Sequence, residues 1–337
     1  MRLITRSDFD GLVCAVLLRE VESIESVEFV HPKDVQDGKI AVGSNDILTN
    51  LPYQAGIGLW FDHHSSEIVR NEETAQYRGR FEIAPSAARV VSNHYGPEKL
   101  GKYATLLESV DKSDAAQLTI DEVLRPSGWI LLSYVMDPRT GLAYHRDYKI
   151  SNRELMTKMI DLIAAHPDDP DTVLADSDVK ERIDRYHAQR NAFEAYMREH
   201  SRLEGNVIIT DTRGAGDPPA GNRFLIYTMF PEANIQVRIF DGRKGEFIVC
   251  AVGHSIFNRT SRTDVGTLMD RYNGGGHRGA GTCQLPLAEA ETKLREIIEQ
   301  IKHLPPAERA QVTKFVVEHD DSWIPDEFKE AMKDAEA

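Results

Sequence analysis

Three cysteines in 337 residues, at Cys14, Cys250 and Cys283, are too few and too scattered for a disulfide framework. No CxxC pair occurs, which excludes a thiolate zinc site as well. Long apolar runs are equally scarce. The longest strictly apolar stretch, residues 12–18, is far short of the roughly 20 residues a membrane-spanning helix needs. Near the start, Asp8 and Asp10 fall where a secretion signal would place its apolar segment, so a cytoplasmic protein without membrane contact is expected. Positive charge is in deficit. Forty Lys and Arg against 54 Asp and Glu leave a net −14, which argues against a protein that coats nucleic acid through bulk charge. A local anion site remains open, because residues 238–278 carry seven basic and four acidic side chains. On charge alone that stretch reads as a solvated face.

What is present describes a globular chain. Hydrophobic residues at 41% supply a core and exclude disorder. At roughly 150 residues per domain, the length predicts about two domains. In the first half, short apolar runs alternate with helical patterns, which implies βαβ units, an α/β class and a mainly parallel sheet. Ligands of such sheets gather at the carboxyl ends of the strands. Residues 165–178, rich in Pro and Asp, read as a connection. A long helix follows, with Ile183, Tyr186, Arg190, Phe193 and Met197 on one face and Gly205 as its stop. Residues 206–213, 223–230, 235–242 and 246–253 then read as strands, and residues 287–304 as an amphipathic helix. The expected division is residues 1–165, a connecting segment and helix at 166–204, a smaller α/β unit at 205–304, and a charged tail at 305–337.

Three clusters carry chemistry. The first is Ser7-Asp8-Phe9-Asp10-Gly11, between the first strand and its helix. Its carboxylates can converge on cations at a turn, and the plainer role is helix capping by Ser7 or Asp10. The second is Asp62-His63-His64 after an apolar run, a set of donors suited to a divalent metal. An acid there can also hold the second ring nitrogen of a histidine. The third is Gly274-Gly275-Gly276-His277-Arg278, where consecutive glycines let backbone N–H groups converge on an anion and Arg278 can grip phosphate. The plainer reading is a helix cap and turn. It lacks the Lys-Ser/Thr of a P-loop.

Acids first, Asp-His-His about 50 residues later, and Gly-Gly-Gly-His in the second half together resemble the DHH/DHHA1 phosphoesterase family over residues 1–302. That family includes RecJ-like exonucleases, oligoribonucleases, cyclic dinucleotide phosphodiesterases and relatives of exopolyphosphatases. The resemblance implies a DHH domain joined by a long helix to a DHHA1 domain, with the active site in the cleft between them. It implies a metal-dependent hydrolase of short single-stranded oligonucleotides or small nucleotide phosphates, working through activated water. The implied cofactor is one or two manganese ions, with magnesium or cobalt as alternatives, and a homodimer is compatible. Asp8 and Asp10 match metal-binding aspartates, and His63 a metal ligand. His64 matches a phosphate contact, and Asp62 would orient the histidines. Either Asp111 or Asp114 would supply a further ligand. Gly274, Gly275, Gly276, His277 and Arg278 would bind the terminal phosphate or nucleotide.

The chain departs from the family pattern at three positions. Ile4 replaces a histidine, Arg6 stands where RecJ-like members carry a carboxylate, and Asn50 occupies the position of a bridging aspartate. An amide oxygen can ligate a metal but bridges two cations poorly. These changes motivate one competing reading, a nucleotide-binding regulatory module without catalysis. A second alternative is a phosphoanhydride hydrolase acting on polyphosphate. Phe257 and Tyr272 could stack on bases but read better as core. Arg139, in an Asp-Pro-Arg-Thr-Gly turn, could reach a phosphate. Trp60 reads as core, and the cysteines as structural.

Overall fold

Five short strands in the first half form a wholly parallel sheet: β1 (Arg2–Arg6), β2 (Ser26–Val30), β3 (Asp46–Thr49), β4 (Leu59–Asp62) and β5 (Gly79–Phe81), in the order β2-β1-β3-β4-β5. In this computed structural model, residues 1–64 and 77–302 are described. Alternate side chains of each central strand go to opposite faces. Leu3, Ile47 and Phe61 enter one core, and Ile4, Leu48 and Trp60 enter another on the reverse side. The helix Phe9–Val21 is apolar almost all round, and its residues 9–18 are all buried. It therefore lies inside the molecule, against the helices Ala87–Tyr95 and Asn152–Ala165.

The long helix spans Ser177–His200 and runs directly into the second sheet. It stops before Gly205, which turns with φ of 64° between β6 (Ser201–Glu204) and β7 (Val207–Asp211). The sheet continues with β8 (Ile235–Asp241), β9 (Phe247–His254), β10 (Gly275–His277) and β11 (Ala280–Pro286), in the order β10-β11-β9-β8-β7-β6. Only β7 and β8 pair in parallel.

Two expected elements differ. Residues 223–230 are not a strand but a 3-10 turn, Arg223–Leu225, followed by the helix Ile226–Met229. Phe224, Leu225, Ile226 and Tyr227 are buried in succession, a pattern whose period cannot separate strand from helix. Residues 165–178 contain a short helix, Pro170–Ala175, capped by Asp169 with Pro at its first position.

One hydrophobic core runs from Leu3 and Leu17 past Tyr186 and Phe193 of the long helix to Ile208 of β7, Phe224 and Ile256. The opposite face of the second sheet packs against the helices Val265–Asp270 and Ala290–Lys302. Tyr272 belongs to that second core and Phe257 packs against the first, so neither is a free stacking platform. Among the described residues no helix is long and apolar enough to cross a membrane. The charged tail lies outside the described residues.

Candidate metal and phosphate site

Because β1, β3 and β4 are parallel neighbours, their carboxyl ends bring residues 6–8, 50 and 62–64 together. The cap of the first helix is Asp8, rather than Ser7 or Asp10. Its Oδ1 accepts the Gly11 N–H at 3.0 Å, three residues on, the spacing that an N-cap side chain reaches. Gly11 is required, since a Cβ there would stand 2.0 Å from the Arg6 carbonyl oxygen. Asp10 is 2% exposed and crosses to the start of another helix, where Ala87 and Ala88 donate their N–H groups at 2.9 and 2.8 Å. A helix N-terminus favours a carboxylate in this way.

Asp62 is fully buried, and its Oδ1 accepts from the His63 N–H at 2.9 Å and from His64 Nδ1 at 2.7 Å. The His63 Nδ1–H donates to the Ala84 carbonyl at 3.0 Å. A carbonyl can only accept, so the His63 lone pair is on Nε2. That nitrogen is buried without a hydrogen-bond partner, 3.3 Å from Asp114 Oδ2 and 3.9 Å from Asp10 Oδ2. Donor atoms of Asp10, His63 and Asp114 all lie within 4.8 Å of one another, as do those of Asp62, His63 and His64. Two carboxylates and a neutral imidazole fit a divalent cation of the manganese or magnesium type.

The structure separates the two late aspartates. Asp114, at the end of the helix Ala104–Asp114, joins the cluster. Asp111 is taken by Arg89, at 2.6 Å, and by the Ser86 hydroxyl, at 2.7 Å. Asn50 follows β3 with φ of 55°, donates from Nδ2 to Asp8 Oδ1 at 3.3 Å, and leaves its Oδ1 buried without a partner. Asp46, at the far end of β3, pairs with Arg2 instead. Arg6 Nε lies 2.8 Å from Asp8 Oδ2.

Crowding of acids sets the electrostatics. Burial, then the charges of Asp114 and Asp8, push the Asp10 carboxyl well above its ordinary range. Burial also raises Asp8, with Arg6 acting in the opposite direction. Burial opposes protonation of His64, but its bond to Asp62 and that carboxylate's charge outweigh it and raise the imidazole.

The glycine segment forms a hairpin rather than a helix cap: β10 (Gly275–His277) pairs with β11 through a turn at residues 278–279. Gly276 has φ of 155°, and a Cβ there would meet the Ala280 carbonyl at 2.3 Å. Gly274 is similarly confined by the Thr282 carbonyl, whereas Gly275 faces open space. His277 and Arg278 are exposed. Partial desolvation lowers the His277 pKa, and the charge of His64 lowers it further.

Two features were not singled out from sequence. Arg223, from the second half of the chain, stands with its Nε 3.6 Å from Asp137 Oδ2, while Arg139 Nε donates to Asp137 Oδ1 at 2.7 Å. One carboxylate thus lies between two guanidiniums. Burial and the like charge of Arg139 lower the Arg223 pKa to about 10. Nothing local in the sequence marks Arg223. The ion pair of Arg6 with Asp8 was equally unmarked, although their two-residue spacing across the strand end could have suggested it. A cavity of about 540 Å³ is bordered by Arg6, Asp8, Asn50, Asp62, His64 and Arg139, and Asp10, Asp114 and Asp137 line a smaller one that also touches Asp8 and Arg139. The larger volume is ample for a nucleotide.

No protein-family model matches the chain, and no curated protein matches it. Solved structures do. A pGpG-specific phosphodiesterase from Vibrio cholerae is 44% identical, with a TM-score of 0.74, and the match covers 89% of this chain and 98% of that one. The DHH domain of a protein described as belonging to a family of ribosomal proteins shares the fold at 12% identity and a TM-score of 0.59, over 90% of this chain and 86% of that one. An exopolyphosphatase-related protein from Bacteroides fragilis does so at 10% identity and a TM-score of 0.50, over 90% and 93%.

Proposed function

The chain belongs to the DHH/DHHA1 family and is a metal-dependent phosphoesterase, and we propose that its substrate is a short linear ribonucleotide of the kind pGpG represents. The non-catalytic module suggested by Ile4 and Asn50 gives way to an enzyme. Asp10, His63 and Asp114 hold a divalent cation, manganese in our reading. Bound there, the cation supplies charge neutralisation at the phosphoryl group and lowers the pKa of water. Hydrolysis adds the oxygen of water to phosphorus, breaks the bond to the 3′ oxygen and leaves the proton on that oxygen. The linear dinucleotide becomes two monophosphates.

The chain's own groups position the substrate. His64 gives its Nδ1–H to Asp62, and as the imidazolium, which that carboxylate favours, it donates from Nε2–H to a phosphoryl oxygen. Arg139, which borders the cavity, adds positive charge there, with Arg223 behind it across Asp137. The hairpin carrying Gly274, Gly275, Gly276, His277 and Arg278 takes the terminal phosphate. The observation that carries the reading is the buried, unpartnered Nε2 of His63 between two carboxylates.

The test is turnover of pGpG, a 20-residue RNA and polyphosphate, with manganese, magnesium, cobalt or chelator present. Monophosphate release from pGpG is expected, together with a loss of at least about 10³-fold in Asp10→Ala and His63→Ala. Phosphate release from polyphosphate without turnover of the dinucleotide would overturn the substrate assignment. Full activity in either variant would overturn the site.

A further inference from the structure

We infer that this site works with a single metal ion and that the Arg6 guanidinium, clamped on Asp8, is its second fixed positive charge. The inference rests on the reading of Asp10, His63 and Asp114 as cation ligands. Asp8 is the carboxylate beside that cluster, with Oδ1 occupied by two hydrogen-bond donors and Oδ2 ion-paired to Arg6. Oδ1 accepts from the Gly11 N–H at 3.0 Å and from Asn50 Nδ2 at 3.3 Å. Oδ2 holds Arg6 Nε at 2.8 Å. A second cation at Asp8 would have to displace a guanidinium and then meet its charge at close range.

The surroundings offer no replacement ligands. Ile4, two residues before Arg6 on β1, is fully buried among Leu48, Trp60 and Val35. Asn50 contributes a neutral amide and turns its donor, not its oxygen, toward Asp8. Arg6 itself is suited to a phosphoryl group. A third of its side chain is exposed, and it borders the large cavity beside Asp8, His64 and Arg139. Among the described residues its two terminal nitrogens make no hydrogen bond. A planar fork with two free N–H edges matches two phosphoryl oxygens. The guanidinium belongs to the chain itself, so this half of the electrostatic machinery survives chelation.

Bound manganese per chain, measured by elemental analysis after equilibrium dialysis and located by anomalous diffraction, tests the idea. One ion is expected in the native protein, on Asp10, His63 and Asp114. The double variant Arg6→Ala/Asn50→Asp is expected to bind two, because it frees Asp8 and adds a bridging carboxylate. Arg6→Ala alone is expected to keep one ion and lose about 10²-fold in kcat, partly recovered in Arg6→Lys. Two ions in the native protein would overturn the inference and leave the metal-centre reading intact. No ion would overturn both. Unchanged kcat in Arg6→Ala at one ion per chain would remove the guanidinium from the reaction. If the double variant fails to fold, the native count still decides.

Discussion

Asp62 serves two neighbours with one oxygen, the His63 N–H and the His64 ring. Asp62→Asn can keep both bonds through its one oxygen, but it removes the negative charge that raises His64 and buries an unpartnered N–H where Oδ2 stood. Activity is expected to fall about 10- to 100-fold, measured as kcat at saturating metal. Asp137 is a second carboxylate whose value depends on its partners. Burial pushes its pKa up, but Arg139 and Arg223 overcome this and hold it below the ordinary 3.8. A carboxyl depressed in the folded state stabilises the protein above its ordinary pKa, and that contribution is lost as pH falls through the folded value. Asp137→Asn leaves two guanidiniums facing each other. At pH 7 it is expected to be less stable than the native protein by about 2 kcal/mol, with the gap closing below about pH 4. Urea denaturation at several pH values measures it, and a gap independent of pH would rule out the charge argument.

At the level of elements, the β10–β11 hairpin shows why glycine is confined. Gly276→Ala places a methyl group 2.3 Å from the Ala280 carbonyl, so the two strands must part. The expected result is a KM at least about 10-fold higher with bound manganese unchanged, since His277 and Arg278 move while Asp10, His63 and Asp114 stay. An unchanged KM would detach the hairpin from substrate binding. Four of the first sheet's five strands and the acid and histidine clusters were legible in sequence because each motif is local, a strand and then a polar turn, whereas the three-residue edge strand Gly79–Phe81 is too short to show a period. Choosing Asp114 over Asp111 was not possible. Residues three apart share a helix face, and only Arg89 and Ser86, reaching in from elsewhere, separate them. The segment 223–230 misled for a related reason, because a run buried throughout carries no period.

Over the whole molecule, a net charge of −14 surrounds a cavity bordered by Arg6 and Arg139. A dinucleotide can set its phosphates against these two guanidiniums and His64, whereas a longer strand must also trail across an acidic exterior. The rate on pGpG relative to a 20-residue RNA is therefore expected to be high at low salt. It should shrink as the screening length drops from about 30 Å at 0.01 M to about 8 Å at 0.15 M. A ratio indifferent to salt would mean that shape, not charge, excludes long strands. The apolar interior that joins the first sheet to Ile208 and Phe224 bears on how such a substrate gets in. With that seam shared, neither half has a finished inner surface of its own. Severing the chain near residue 200 should leave two insoluble fragments, and heating the intact protein should melt it in one step. Such a seam resists a parting of the two sheets, so entry and release are expected to fall to side chains and turns around the rim.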